Sequence, residues 1–176
     1  MTLIRYFLIG ILLLGTTSND VPPERTIRWT PEVRLSWDSF QGKPTVSRAA
    51  AITASGISYQ FSSMYKNGAV ALDFTVDTFF YPDKSWFRPD LCDSVILGHE
   101  QLHFDISELY ARKMRRQLSE TRFTENVKAE VKAIYRQINT DLNDFQNRYD
   151  AETNYSRDRE QQQRWNVAIA KELSTD

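Results

Sequence analysis

Two histidines, four residues apart, are the most informative pair of side chains in this chain. The chain contains only two histidines, and both lie in His99-Glu100-Gln101-Leu102-His103. Side chains four residues apart share one face of a helix, so both imidazoles can reach a single Zn²⁺ at about 2.0–2.1 Å. Glu100 would lie beside that ion, where it can take a proton from zinc-bound water. This is the His-Glu-x-x-His pattern typical of zinc metallopeptidases.

A catalytic zinc needs a third protein ligand, with the fourth position left for water. Because both histidines are already assigned, an Asp, Glu or Tyr has to supply it. The segment 149–156 (Tyr-Asp-Ala-Glu-Thr-Asn-Tyr-Ser) is the best source, since loops at helix ends often carry functional groups. Asp150, Glu152 and Tyr155 remain alternatives.

Several other polar side chains are candidates for supporting roles. Asp105 and Glu108 can accept hydrogen bonds from the second ring nitrogens of the histidines, although a solvated helix face is the favoured interpretation of Glu108. A tetrahedral oxyanion would need a stabilising donor besides the metal. Tyr149, Tyr155 or Arg157 can provide that donor, and the sequence does not choose among them.

The chain before the motif has the pattern of strands. Apolar residues alternate with polar ones over 57–62 and 70–77, and a period of two predicts strands with one buried face. Asn67-Gly68 between them is a strong signal for a tight turn. We therefore expect an antiparallel hairpin over 57–76 within a larger sheet, and its edge can bind an extended peptide.

The chain after residue 90 has the period of helices. Apolar stripes predict helices over about 91–118, 124–149 and 158–173. The first of these carries the histidine motif. Strands followed by helices predict a single α+β domain, in which an antiparallel sheet precedes the motif helix and two further helices.

Composition excludes several classes of function. The chain has 176 residues and a net charge of −1, which argues against a protein that binds nucleic acid through its phosphates. A single cysteine excludes a disulfide framework and metal clusters built on several cysteines. The expected partner is a peptide or protein substrate, and the oligomeric state is left open.

The first 18 residues are interpreted as an export signal. Arg5 precedes a short apolar run from Tyr6 to Leu14, and small residues follow it, as in a secretory signal peptide. The run is short for a membrane span, so a retained membrane anchor is the weaker alternative. We expect an exported protein, periplasmic or extracellular, with residues 19–176 as its catalytic domain and no stable membrane insertion after cleavage.

The motif and its flanks resemble a known bacterial family. The stretch His99–Ile106, continued by Glu108, Ala111 and Arg112, is similar to the motif helix of domain-of-unknown-function family 922, whose members are expected to be secreted zinc-dependent proteases. Further similar words are Leu35–Phe40, Ser85-Trp86, Tyr149-Asp150 with Glu152-Thr153, and Gln163 with Trp165. The resemblance implies a zincin-like fold, a zinc cofactor and peptide hydrolysis with Glu100 as general base.

One departure from the family pattern concerns the third ligand. After Glu-Thr, the family carries a His-Gly pair whose histidine is the natural ligand, whereas this chain has Tyr155-Ser156. The resemblance therefore implies a site of His99, His103 and Tyr155. The alternatives are replacement by Glu152 or Asp150, a catalytically degenerate protein that keeps the fold for binding, or a hydrolase of non-peptide amides or esters.

Overall fold

The computed structural model describes residues 24–66 and 68–175. The segment expected to be a signal peptide, residues 1–18, lies outside the described residues. Within the described part, none of the helices combines the length and the apolar character that crossing a bilayer requires.

The strand half is dominated by one long hairpin. Its strands, β3 (Ser55–Lys66) and β4 (Ala69–Phe80), pair antiparallel along their whole length, which confirms the predicted hairpin. Gly68 has φ of 78°, the conformation that a tight hairpin turn requires. A short strand, β1 (Ile27–Arg28), pairs with the other edge of β4. A second small sheet joins β2 (Ala51–Ile52) to β5 (Trp86–Phe87).

Three helices follow the strands, as the sequence predicts. They are α1 (Ser94–Glu120), α2 (Val127–Glu152) and α3 (Arg159–Ser174). Asp93 caps α1, since its Oδ1 accepts hydrogen bonds from the backbone N–H groups of Val95 and Ile96, both at 2.9 Å. This cap satisfies two of the amides that a helix N-terminus leaves unpaired, and it fixes the start of the helix that carries His99 and His103.

The core lies between the hairpin and the helices. Ile57 and Val76 from the hairpin pack with the inward faces of α1, α2 and α3, of which Ile106, Val131 and Ile169 are nearly or fully buried. A smaller cluster, which includes Phe40, Phe80 and Phe104, packs the N-terminal segment against the other side of α1. Helix α1 is therefore covered on several sides, and its histidines lie inside the packed molecule. The architecture is α+β, as predicted.

Candidate metal centre

Three side chains from two helices converge on one point. His99 and His103 lie one turn apart on α1, and Asp150 lies in the last turn of α2. Asp150 Oδ1 is 3.0 Å from Nε2 of each histidine, and the two Nε2 atoms are 3.3 Å apart. Among the described residues, this trio forms a group with its ligand atoms all within 4.8 Å of one another.

These distances fit a tetrahedral zinc site. Two ligand atoms of a tetrahedral zinc with bonds of 2.0–2.1 Å are about 3.3 Å apart, close to all three distances between the donor atoms. Two imidazoles and one carboxylate also form a donor set used by catalytic zinc, which keeps a fourth position open. The residues therefore fit this ion in both spacing and chemistry.

A hydrogen bond from His99 determines which of its ring nitrogens is free. Its Nδ1 donates to Oε1 of Gln162, at 2.9 Å, so in the neutral imidazole Nε2 carries a lone pair. That lone pair faces the carboxylate oxygen of Asp150 at 3.0 Å. Two electron-rich atoms at this distance repel each other unless a proton or a cation lies between them. A metal ion would remove that repulsion.

Tyr149 completes a ring of hydrogen bonds around His99. Gln162 Nε2 donates to the Tyr149 hydroxyl at 2.6 Å, and the hydroxyl donates to the backbone carbonyl of His99 at 3.3 Å. The tyrosine ring also stacks on the imidazole, with centroids 4.5 Å apart. Tyr149 is fully buried and its hydroxyl is already bonded, so it is removed from the candidates for stabilising an oxyanion.

The electrostatics of the site favour the ionised form of the Asp150 carboxyl. Burial raises the pKa of the Asp150 carboxyl, but the hydrogen bonds that it accepts from His103 and His99 when their Nε2 atoms are protonated outweigh burial and leave that pKa below its ordinary value. For His103, burial has the opposite effect and lowers the pKa. The hydrogen bond to Asp150 and the charge of Glu100 outweigh burial, so the pKa of His103 is raised overall. Asp150 is therefore held as a carboxylate, the form that ligates metal.

The geometry favours Asp150 over the other two candidates for third ligand. The carboxylate of Glu152 accepts a hydrogen bond from Trp165 Nε1 at 2.9 Å, so it is engaged elsewhere. Tyr155 is 62% exposed, and it lines the cavity beside the histidines. The family pattern favours Tyr155 as the third ligand, whereas the distances to the two histidines favour Asp150.

The segment that holds all three side chains matches one protein-family model. Residues 84–158 match the model of a family described as "Bacterial protein of unknown function (DUF922)". The resemblance expected from the sequence is confirmed for this segment. The DUF922 match leaves out Leu35–Phe40 and the pair Gln163 and Trp165, so their similarity stays a prediction. No curated protein matches the chain, and no solved structure matches it.

The DUF922 segment ends in an unusual turn. Asn154, Tyr155 and Ser156 have φ of 48°, 54° and 70°, the left-handed region that residues other than glycine seldom adopt. Such strain concentrates at functional sites, where the surrounding structure holds it. Thr153 helps to hold this turn, since it is fully buried and its hydroxyl donates to the Tyr149 carbonyl at 2.8 Å. The turn places Tyr155 and Arg157 beside the cavity.

A cavity of about 920 Å³ opens onto the three side chains. Glu100 is 5% exposed and lines the cavity together with the histidines, and its role as general base stays a prediction. The segment from Ser47 to Thr53, which includes β2, lines another part of it. Among the described strands, β2 pairs only with β5. Strand β2 therefore has an unpaired edge beside the cavity, whereas β3, the edge strand of the predicted hairpin, does not line it.

The two acidic residues expected to support the histidines have other partners. Asp105 Oδ1 accepts hydrogen bonds from Trp29 Nε1 at 2.8 Å and Gln101 Nε2 at 3.0 Å. Glu108 is 4% exposed, contrary to the expected solvated face, because Thr78 and Arg115 bind its carboxylate. Asp105 therefore joins α1 to the segment that follows β1, and Glu108 joins α1 to β4. Sequence reasoning missed the supporting role of Gln162, which depends on how α3 packs against α1.

Proposed function

We propose that this chain is a zinc-dependent metallopeptidase. His99, His103 and Asp150 hold the zinc, and Glu100 is the general base. The observation that carries this proposal is the convergence of two imidazole nitrogens and one carboxylate oxygen at 3.0–3.3 Å from one another. The family match supports a shared domain and leaves the activity to be tested.

The proposed chemistry assigns a distinct task to each side chain. Zinc bound to the trio supplies Lewis acidity, which makes water a nucleophile at neutral pH and polarises a carbonyl oxygen. Glu100 accepts the proton of the attacking water and returns it to the leaving amine. Tyr155 lies beside the cavity, where its hydroxyl can donate to the developing oxyanion.

A peptide substrate is supported by the strand beside the metal ligands. An extended chain can add to a strand that has a free edge, with its backbone groups paired to that strand. The β2 segment lines the cavity and has one unpaired edge within the described sheet. We also propose that the protein is exported, because residues 1–18 have the sequence pattern of a signal peptide.

The test combines metal analysis with a peptide library. We expect about one zinc per chain after purification with zinc present, and cleavage of quenched fluorescent peptides by the wild type. Glu100→Gln should keep the zinc and lower kcat by about 10²- to 10⁴-fold, the usual contribution of general base catalysis. Glu120→Gln, an exposed change on the same helix, is the matched control and should match the wild type.

Other outcomes would contradict the proposal in different ways. Absence of zinc under zinc-replete conditions would exclude a zinc enzyme. Zinc without hydrolysis of any peptide would favour a binding protein that keeps the fold. Cleavage of simple amides or esters but not of peptides would place the same site in another class of hydrolase.

A further inference from the structure

Two exposed arginines lie beside the candidate metal centre. Arg48 precedes β2, and Arg157 follows the left-handed turn between α2 and α3. Both are exposed, and both line the cavity that opens onto His99 and His103. Within residues 24–66 and 68–175, neither guanidinium makes a hydrogen bond or ion pair.

Two other arginines of the chain have guanidinium groups that are bound within the protein. Arg88, close to the same cavity, donates to the backbone carbonyls of Thr45, Ser47 and Ala49 at 2.9–3.0 Å. Arg115 donates to the Glu108 carboxylate at 2.9 Å. Arg48 and Arg157 therefore differ from these arginines in having their donors available to a ligand.

The charge of the cavity depends on the metal. Glu100 and Asp150 contribute two negative charges close to the histidines, and a divalent cation cancels them. Two positive charges, those of Arg48 and Arg157, are then left without compensation. A concave site with one sign of charge attracts ligands of the opposite sign more strongly than a flat surface does.

We propose that this cavity selects peptides by a carboxylate group near the bond that is cut, and that Arg48 and Arg157 recognise it. This rests on the proposed peptidase function. Guanidinium groups bind carboxylates through two parallel hydrogen bonds, which gives both affinity and orientation. The carboxylate is either an Asp or Glu side chain or the C-terminal group of the peptide, because both present the same chemistry.

The cavity also offers contacts for the rest of such a peptide. Ile52, Leu91 and Tyr155 are exposed apolar residues that line it, and they can cover the apolar parts of a bound chain. The expected substrate is therefore an extended peptide with an acidic group next to apolar residues.

The first experiment measures kcat/KM for peptides that differ at one position. Asp, Ala and Lys are compared at each position flanking the cleaved bond, with free and with amidated C-termini. We expect the acidic peptide to exceed the Lys peptide by about tenfold or more. Arg48→Ala and Arg157→Ala should each remove most of that preference and leave cleavage of the Ala peptide less affected. Loss of the preference on amidation would identify the C-terminal carboxylate as the recognised group.

Reversing the charge of Arg157 distinguishes recognition of a carboxylate from a loss of local structure. Arg157→Glu should shift the preference toward the Lys peptide, whereas Arg157→Lys should keep part of the preference for the acidic one. The matched controls are Arg122→Ala and Arg136→Ala, which remove exposed arginines outside the cavity. They should leave the order of the three peptides unchanged, and added salt should weaken the acidic preference in the wild type.

A binding experiment distinguishes failure of this inference from failure of the proposed function. Zinc-loaded Glu100→Gln protein is titrated with fluorescent acidic, neutral and basic peptides, and anisotropy is read. Equal binding and equal cleavage of all three would overturn the inference and leave the peptidase intact. Selective acidic binding that is lost in Arg48→Ala, without cleavage by the wild type, would support the inference and overturn the peptidase. Neither binding nor cleavage would overturn both.

Discussion

Gln162 on α3 accepts a hydrogen bond from Nδ1 of His99 on α1, at 2.9 Å. This contact links the last helix of the chain to the motif helix and leaves the other ring nitrogen, Nε2, directed at Asp150. In metal sites a partner of this kind fixes the orientation and protonation of the ligating histidine. The three helices are therefore coupled at the candidate metal centre.

Replacing Gln162 should weaken metal binding without removing any ligand. We expect Gln162→Leu to lower zinc affinity by about 10- to 100-fold, the usual cost of losing a hydrogen-bonding partner of a ligand. Competition with a chromophoric chelator measures this. Gln163→Leu, an exposed change in the next position, is the control and should bind zinc as the wild type does. Equal affinity in the two variants would show that the contact does not support the metal.

The third ligand can be identified by three parallel substitutions. Asp150→Ala removes the carboxylate that lies 3.0 Å from both histidines, so we expect stoichiometric zinc to be lost. Glu152→Ala should keep the zinc, because Glu152 is bonded to Trp165. Tyr155→Phe should also keep the zinc but reduce kcat if its hydroxyl stabilises the oxyanion. Zinc retained in Asp150→Ala and lost in Tyr155→Phe would restore the assignment to Tyr155.

Zinc should stabilise the folded chain, since its ligands come from two helices that are brought together only by folding. At a free zinc concentration of about 100 times Kd, linkage gives about 2.7 kcal/mol. For a chain of this length that is about 5–11 °C in Tm. Differential scanning calorimetry with added zinc and with chelator measures the shift. His103→Ala should remove the response, and a response that survives in that variant would place the bound zinc elsewhere.

The structural features that the sequence predicts best are those that depend on residues close together along the chain. The spacing of His99 and His103 follows from helix geometry alone, and the long hairpin follows from its alternation and its Asn-Gly turn. The choice among Asp150, Glu152 and Tyr155 depends on how the end of α2 packs on α1, and no local pattern encodes that. The contact of Gln162 with His99 joins residues 63 positions apart, so it too was outside the reach of local reasoning.

Arg88 holds the segment that borders the cavity, and its removal should loosen that segment. Its guanidinium donates to the carbonyls of Thr45, Ser47 and Ala49, and its backbone N–H donates to the Ala50 carbonyl at 2.8 Å. Arg88→Ala leaves three carbonyls without this donor, which should lower the free energy of unfolding by about 1–3 kcal/mol. We expect faster amide hydrogen exchange over 45–50 and, because this segment leads into β2, a higher KM for peptides with a smaller change in kcat.

A second arginine provides the control for this prediction. Arg34 also donates to backbone carbonyls, those of Pro31 and Val33 at 2.8 Å, but it does not line the cavity. Arg34→Ala should leave hydrogen exchange over 45–50 and KM unchanged. If Arg88→Ala changes neither quantity while the protein stays folded, the pairing of β2 with β5 is enough to hold the preceding segment, and Arg88 has no positioning role.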